Sequence, residues 1–315
     1  MNAALSTNWN SQRHSTGEAL VDEAVSLGFE AVEIGYLFQP ALEAGLRRRL
    51  AAGAIRVCSV HAFSPVPLSV PGGHPELFLP AAADEDERRL AVFHLRNTLA
   101  FAASLGARAV VVHAGRVPVG SHWARVAQAH EQERTGTWRY RWHRRRLLAL
   151  RERRAARHLA ALRRSLDELL PLFSDARVAL AMENLPSWDA LPQADEALAL
   201  IEAYATPWLR YWHDIGHGQI LENAGLTDHL AVARRMLGVT AGVHLHDVQG
   251  PMRDHQAPGS GGIDFSGFGF LARPDILHVF EPAPSVPPSD LANGLRHIRR
   301  CWDGQQLQTN EKEQA

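Results

Sequence analysis

The chain has 315 residues, 46% of them hydrophobic and 21% charged, and its formal net charge is −1 at pH 7. This composition is typical of a globular protein and gives no general attraction to nucleic acid or to an anionic membrane. No apolar run reaches the roughly 18 residues that a membrane span needs, and the N-terminus lacks the basic start and apolar stretch of a signal peptide. We therefore expect a cytoplasmic protein.

Lysine is almost absent from the chain. The 33 basic residues include one lysine, Lys312, in a polar C-terminal stretch for which we predict a disordered tail over residues 304–315. Schiff-base aldolases, pyridoxal phosphate enzymes and phosphate loops of the GxxxxGK type need an amine at a structured position. Arginine cannot replace that amine because it keeps its proton, so these classes are excluded.

Short apolar runs alternate with longer amphipathic segments along the whole chain. The runs predict eight strands, at residues 4–9, 31–36, 56–62, 109–113, 178–183, 209–214, 242–246 and 277–281. Helical periodicity occurs at residues 18–27, 40–50, 86–105, 140–170, 194–203, 228–237 and 289–301, with a short helix near 265–271.

Strand followed by helix, repeated eight times in about 300 residues, predicts an α/β fold of the (β/α)8 TIM barrel type. We predict a single domain over residues 1–303, with an extended loop and helix at about 116–170. An open doubly wound sheet is the competing fold. The barrel is favoured because eight units complete the ring and no GxGxxG follows the first strand.

Polar side chains stand at the ends of six predicted strands, where the active site of a TIM barrel lies. They are His61, His113, Glu183, Asp214, His244 and Glu281. A single histidine at a strand end is more often a hydrogen-bonded structural residue. His246 is expected to point away from His244 in a regular strand and so to have a supporting or structural role, and Asp247 could orient a ligand. The convergence of all six residues on one mouth indicates a site.

The carboxylates among these residues indicate a metal. An ionised carboxylate at the end of a buried strand needs a cation or several hydrogen-bond donors. Asp214 could merely cap a helix, but His217 lies one turn later and could share its ligands. Two glutamates, an aspartate and a histidine form an oxygen and nitrogen set suited to divalent manganese, cobalt or zinc. We therefore predict a metal site.

The segment 139–164 holds eleven arginines and a single glutamate, Glu152. Its leucines and alanines recur at helical spacing. This pattern is more typical of an amphipathic outer helix than of a nucleic-acid-binding arm. It also leaves open a role as an interface or in attracting an anionic substrate.

Six motifs occur in a fixed order along the predicted barrel: HAFSP, VVHAG, ENLP, HDIGHG, HLHD followed by DHQAPGSGGID, and FEPAP. Over roughly residues 28–281 the chain thereby resembles the xylose isomerase-like barrel superfamily. That superfamily includes sugar and sugar phosphate isomerases and epimerases, ketose 3-epimerases and the endonuclease IV type of abasic-site nuclease. The motifs are specific to the superfamily and less specific to any of its members.

The resemblance to the epimerases implies a metal held by Glu183, Asp214, His244 and Glu281. Glu183 and Glu281 would also act as acid and base on opposite faces of a substrate carbon, while the cation stabilises an enediolate. His217 matches a substrate-contacting position, and Arg253 could meet a hydroxyl or phosphate. Xylose isomerases proper, which depend on a lysine, are excluded by the lysine count.

The resemblance to the nuclease implies a larger zinc cluster. Its ligand positions are matched by His61, His113, Glu183, Asp214, His217, His244, His255 and Glu281. Its third site expects Asp-x-His, whereas this chain has Arg253-Asp254-His255, which counts against a third metal. HAFSPVP and HAGR also lack residues that the nuclease uses to grip DNA.

The sequence thus predicts a metal-dependent isomerase or epimerase of a small sugar, sugar phosphate or related polyhydroxylated molecule. It would use one divalent ion or two, of manganese, cobalt, zinc or magnesium. The predicted substrate-binding residues are His61, His113, His217, Arg253 and His255. The alternatives are a zinc phosphodiesterase acting on abasic DNA and a barrel that binds metal or ligand without turnover. Nucleic acid is not the expected partner, and a homo-oligomer is suggested by analogy.

Overall fold

The strands of the chain form one closed ring and two short ladders in a computed structural model that describes residues 2–313. In chain order they are β1 (Ala3–Ser6), β2 (Ala31–Ile34), β3 (Arg56–His61), β4 (Ala109–Val112), β5 (Gly115–Arg116), β6 (Ala179–Glu183), β7 (Ala190–Leu191), β8 (Leu209–Asp214), β9 (Thr240–Leu245), β10 (Asp247–Gln249), β11 (Arg253–Gln256) and β12 (Leu277–Phe280).

The ring confirms the predicted (β/α)8 TIM barrel. Its order is β1-β12-β9-β8-β6-β4-β3-β2, every neighbouring pair is parallel, and β2 closes the ring against β1. The ladders β5–β7 and β10–β11 are antiparallel. All eight predicted strands are present, although the first is shorter than predicted, because its backbone turns into a 3-10 helix at Thr7–Trp9.

Helices connect the strands of the ring on its outside. They are α1 (Gly17–Ser26), α2 (Glu43–Ala51), α3 (Glu85–Ser104), α4 (His122–Glu131), α5 (Trp138–Ala176), α6 (Ala194–Tyr204), α7 (Ile215–Asn223), α8 (His229–Met236) and α9 (Pro288–Glu313), with further 3-10 helices at Pro40–Leu42, Leu237–Val239 and Phe265–Leu271.

Two of these helices, α4 and α7, were not predicted, and α5 extends beyond both ends of the predicted helix at 140–170. The backbone of α9 continues to Glu313 and so enters the stretch predicted as a tail, while residues 314 and 315 lie outside the described residues. None of the helices in the described part of the chain is long and apolar enough to cross a bilayer.

The inside of the barrel is filled by small apolar side chains and one large ring. A cluster of alanines and valines surrounds Trp212, which is fully buried. A Cβ on Gly242 of the neighbouring strand would lie 2.2 Å from the Trp212 ring, so this position must be glycine. His244 packs edge-on against Trp212 at 5.2 Å between ring centroids. The apolar layer therefore forms a floor beneath the polar strand ends.

Candidate metal centre

The six strand-end residues predicted from the sequence all lie at the carboxyl mouth of the barrel, and all are buried. His61, Glu183 and Asp214 are the last residues of β3, β6 and β8. His244 is the penultimate residue of β9, and His113 and Glu281 directly follow β4 and β12. Because parallel strands end on the same rim, residues far apart in the chain meet here.

Glu183, Asp214, His244 and Glu281 form the central group. Their candidate ligand atoms all lie within 4.8 Å of one another. His244 Nδ1 is 3.0 Å from Glu183 Oε1, 3.1 Å from Glu281 Oε2 and 3.6 Å from Asp214 Oδ2. One ring nitrogen thus faces three carboxylates at the spacing that a shared cation would occupy.

Glu33 on β2 sets the orientation of this histidine. Its carboxylate lies 3.2 Å from His244 Nε2 and also accepts a 2.8 Å hydrogen bond from Ser59 Oγ. When His244 donates its Nε2 proton to Glu33, the Nδ1 lone pair points at the three carboxylates. A lone pair and three carboxylates repel one another in a dry site, so this donor set fits a divalent cation.

The sequence interpretation missed Glu33. Like Glu183, Glu33 is a carboxylate within an otherwise apolar strand, whose sequence is AVEI. This pattern could have identified it. Glu33 is fully buried, so it needs a partner as much as the strand-end glutamates do.

The charges at the centre depend strongly on one another. Burial by itself would lower the pKa of His244, but the carboxylates of Glu281 and Glu33 outweigh burial and raise the pKa well above its ordinary value. Burial would likewise raise the pKa of Glu183, yet His244 and His113 hold it well below its usual range. The carboxylates therefore stay ionised and need positive charge beside them.

Glu183 also belongs to a second group, with His61 and His113. Its Oε2 lies 3.2 Å from His61 Nε2 and 3.1 Å from His113 Nε2, whereas its Oε1 faces the central group. His61 donates its Nδ1 proton to Ala62 O at 2.8 Å, which leaves a lone pair on Nε2. Glu183 is therefore placed to bridge two cation sites.

Glu76, in the loop before α3, supports this second group. Its carboxylate lies 3.5 Å from His113 Nδ1 and is held by Arg116 through two 2.7 Å hydrogen bonds. Burial alone would lower the pKa of His113, but Glu183 and Glu76 raise it to about 9. Glu76 was not predicted, because it lies far from any strand end in the sequence.

A third group consists of His217, His246 and His255. His217 donates its Nδ1 proton to Asn184 O at 2.9 Å, and His255 donates its own to Glu281 O at 2.9 Å. Because a carbonyl can only accept, the lone pairs of both rings are on Nε2. These two nitrogens are available to a ligand.

In contrast, both ring nitrogens of His246 already have partners. Its Nδ1 accepts the backbone N–H of His255 at 2.9 Å, so its Nε2 carries the proton and donates to Asp214 at 2.9 Å. His246 therefore positions Asp214, in line with its predicted supporting role. Asp254 Oδ2 lies 3.9 Å from His217 Nε2, so this carboxylate could join His217 and His255 in a ligand set.

Asp214 combines the two roles between which the sequence could not decide. Its Oδ1 accepts the backbone N–H of His217 at 2.7 Å and thereby caps α7. Its Oδ2 faces the central group, 3.6 Å from His244 Nδ1. Nearby, Asn8 Nδ2 donates to Glu281 Oε1 at 3.0 Å, a contact that the sequence did not reveal.

Two further residues behave differently from the groups above. Arg253 is exposed on β11, and its contact with a substrate stays a prediction. Asp247, which the sequence suggested as a ligand-orienting residue, instead accepts backbone N–H groups from Gly259, Gly261 and Ile263 at 2.9–3.1 Å. Asp247 therefore holds the glycine-rich loop in place, and this loop packs tightly enough that a Cβ on Gly261 would lie 2.4 Å from the Asp247 carboxylate.

Comparisons with solved structures find sugar epimerases of the same fold. A structure titled D-tagatose 3-epimerase-like protein is 18% identical, with a TM-score of 0.69 and all of both chains covered. The 3-keto-D-glucoside 4-epimerase YcjR from E. coli is 15% identical, with a TM-score of 0.70, covering 96% of this chain and 100% of the other. An L-ribulose 3-epimerase is 20% identical, with a TM-score of 0.62 and 99% and 96% covered.

Comparison with curated proteins gives no significant match. A family model described as xylose isomerase-like TIM barrel matches residues 21–301, which include every residue of the three groups. The chain therefore belongs to the xylose isomerase-like TIM barrel family.

Proposed function

We propose that the protein is a metal-dependent isomerase or epimerase of a small polyhydroxylated substrate such as a sugar. The observation that carries this proposal is the central group, in which Glu183 and Glu281 approach His244 Nδ1 to within 3.0 and 3.1 Å. The similarity of the fold to those of sugar epimerases supports it. Glu183, Asp214, His244 and Glu281 are the proposed ligands.

The two glutamates are placed to move a proton between faces of a substrate carbon. Their strands, β6 and β12, are separated in the ring by β8 and β9, so the carboxylates reach the centre from different sides. One would remove a proton from the carbon next to a carbonyl, and the other would return a proton from the opposite face. A bound divalent cation would supply stabilisation of the negative charge that develops on the substrate oxygens.

Polar groups around the centre would orient the substrate. The Nε2 lone pairs of His217 and His255 are available to hydroxyl groups, since the Nδ1 proton of each ring is held by a backbone carbonyl. Tyr36 packs edge-on against His61 at 5.2 Å and would close one side of the site.

The test combines metal analysis of the purified protein with exchange of substrate hydrogen in deuterated water. A panel of ketoses and ketose phosphates is incubated with the metal-loaded protein, and deuterium uptake at carbon is followed by NMR. We expect uptake at one carbon of at least one substrate, with loss after chelation and recovery when metal is restored. Absence of uptake across the panel with the metal-loaded protein would count against the proposal.

A second candidate, hydrolysis of a phosphodiester, is favoured by a specific observation. The single-ion chemistry above does not need the group of His61, His113 and Glu183, nor the free Nε2 atoms of His217 and His255. Several adjacent cations are used to stabilise both the attacking and the leaving oxygen of a phosphoryl group. Binding of more than one metal per chain, together with cleavage of an abasic-site DNA duplex, would favour this candidate over the isomerase.

A further inference from the structure

A helical hairpin projects from the barrel on the side of the metal centre. We define the basic hairpin as α4 together with residues 138–150 of α5. The C-terminus of α5 leads directly into the start of β6, so its N-terminus points toward the carboxyl mouth of the barrel. The hairpin is therefore on the same side as the candidate metal centre.

The arginines of α5 change role along the helix. Arg151 is buried and bonds to Ala190 O at 3.0 Å and to the Glu196 carboxylate at 2.6 Å, so this turn of α5 lies against the loops at the mouth. Trp138 is 13 residues earlier, which corresponds to about 20 Å along the helix axis. The outer part of the hairpin thus extends well beyond those loops.

The hairpin carries an unbalanced positive charge. Its helices and the turn between them hold seven arginines, against two acidic residues, Glu131 and Glu133. Among the residues whose side chains the structure describes, none of the seven forms an ion pair with a carboxylate. The seven are Arg125, Arg134, Arg139, Arg141, Arg144, Arg145 and Arg146. All but Arg144 are exposed.

Exposed aromatic rings stand among these guanidinium groups. Trp138 is 67% exposed and Trp142 is 50% exposed, and the two are one helical turn apart on the same face. The Arg139 guanidinium lies 5.6 Å from the Trp138 ring centroid. Both tryptophans line a groove of about 1110 Å³ between the helices, together with Arg125, Arg134 and Tyr140.

Contrary to the expectation from the sequence that nucleic acid is not a partner, we propose that the basic hairpin binds single-stranded nucleic acid. Guanidinium forks match the geometry of backbone phosphates, and exposed indole rings provide surfaces on which bases stack without regard to sequence. The spread of seven charges along the hairpin suits an extended polyanion, since one phosphate group could engage only one or two of them. The inference goes beyond the proposed function and does not depend on it, because binding is measured without turnover.

A second copy of the chain fits this surface less well. A two-fold contact through the groove would place the same arginines opposite one another, and like charges at such a contact repel. A membrane surface also fits less well, because leucines of this part of α5, such as Leu147 and Leu150, are buried against the protein.

The experiment measures binding of a short fluorescein-labelled oligodeoxythymidine to the full chain by anisotropy, over a range of salt concentrations. The triple variant Arg139→Ala, Arg141→Ala, Arg145→Ala is expected to bind at least tenfold more weakly. The slope of log affinity against log salt concentration should decrease in magnitude by about 2, because three phosphate contacts are lost and each contributes roughly 0.7 to the slope. The double variant Trp138→Ala, Trp142→Ala removes two stacking surfaces and is expected to bind at least about 30-fold more weakly with an unchanged slope.

The matched control is the triple variant Arg48→Ala, Arg49→Ala, Arg89→Ala. It removes the same number of charges from two exposed arginines and the half-buried Arg49, but each of these is paired with a carboxylate elsewhere on the surface. This control should bind like the wild type. Thermal unfolding of all variants establishes that each is folded.

Four results would overturn the inference. An equal loss of affinity in the control would mean that only net charge matters, and equal binding of an abasic oligomer of the same length would exclude base stacking. Competition by thymidine monophosphate at the same concentration as the oligomer would indicate a mononucleotide site. A dimer in sedimentation that the tryptophan substitutions dissociate would indicate an interface between copies of the chain.

Discussion

The candidate metal centre and the basic hairpin both concentrate charge, but they do so in opposite ways. At the candidate metal centre the carboxylates of Glu183, Asp214 and Glu281 are buried, and His244 Nδ1 lies 3.0–3.6 Å from them. On the hairpin all the arginines except Arg144 are exposed. Buried charge requires partners for the fold to form, whereas exposed charge costs the fold little.

Because of this difference, substitutions in the two regions should have different consequences. At the centre, one missing partner leaves a charge without compensation in a dry site, so substitutions there should affect metal binding and chemistry strongly. On the hairpin, removal of exposed arginines should cost little packing, so its main effect should be on ligand binding. Substitutions in the two regions should therefore differ in the size of their effects.

Replacement of Glu183 by glutamine should have the largest effect, because this residue belongs to two of the three groups. Loss of its charge removes both a ligand and a proton acceptor, so turnover should fall by about 100- to 10,000-fold. Steady-state kinetics under metal saturation measure this change. Glu202→Gln, on the exposed face of α6, is the control and should retain full activity. Comparable activity in the two variants would contradict the role assigned to Glu183.

The pKa values of two buried histidines without carboxylate partners at their rings are shifted in the opposite direction to that of His244. His213 and His229 face one another with 3.1 Å between their Nε2 atoms, and burial lowers the pKa of His213 to about 4. As the pH falls, His213 therefore becomes protonated near pH 6.5 in the unfolded chain but only near pH 4 in the folded chain. Neutral His213 contributes to the free energy of unfolding above pH 6.5. This contribution, about 3 kcal/mol, is lost as the pH falls to 4.

Urea unfolding of metal-free protein at pH 7 and pH 4 measures this loss. In His213→Phe the difference in unfolding free energy between the two pH values should be smaller than in the wild type by about 3 kcal/mol. Titration of the histidines that do not contact His213 contributes equally to both proteins and cancels, whereas His229 loses its neighbour in the variant. His74→Phe, at an exposed position, should leave the difference unchanged. An identical pH dependence in wild type and His213→Phe would show that His213 is not held neutral.

Replacement of Glu33 by glutamine should weaken metal binding about 10- to 100-fold, as expected for a group that orients a ligating histidine. Glutamine keeps the size of the side chain but holds the Nε2 proton of His244 less firmly. Competition with a metal chelator measures the affinity. Glu30→Gln, three residues earlier and exposed, is the control. Unchanged affinity in the Glu33 variant would mean that His244 does not depend on this contact.

The smallest effect is expected from the hairpin. The triple variant at Arg139, Arg141 and Arg145 should change the unfolding free energy by less than about 0.5 kcal/mol per substitution, because the three side chains are exposed. Urea unfolding measures the change. A loss of several kcal/mol would erase the contrast between the two regions, since the arginines would then be part of the packed fold.

Most of the central site could be predicted because of its position in the sequence. Glu183, Asp214, His244 and Glu281 each stand at the end of an apolar strand run, and the barrel rule brings strand ends together. Glu33, Asn8 and Glu76 could not be found in this way. Each acts through a partner that is distant in the chain, as Glu33 does with His244, which is 211 residues away.

Helix α7 could not be predicted from its local sequence for a similar reason. Helix α7 carries two glycines near its start, Gly216 and Gly218, and these weaken its helical pattern in the sequence. In the structure each glycine leaves room for a histidine ring, since a Cβ would lie 2.0 Å from His246 or 2.3 Å from His229. Packing against rings from other elements explains glycines that local propensity disfavours.

The sequence by itself determined the barrel and the rim on which the candidate ligands lie, because hydrophobic periodicity and strand ends are local properties. The tertiary structure decided which nitrogen of each histidine faces the centre, that Asp247 holds a loop, and that the arginine-rich segment projects beyond the mouth. These features depend on hydrogen-bond partners and helix contacts brought together from distant parts of the chain, and no local pattern encodes them.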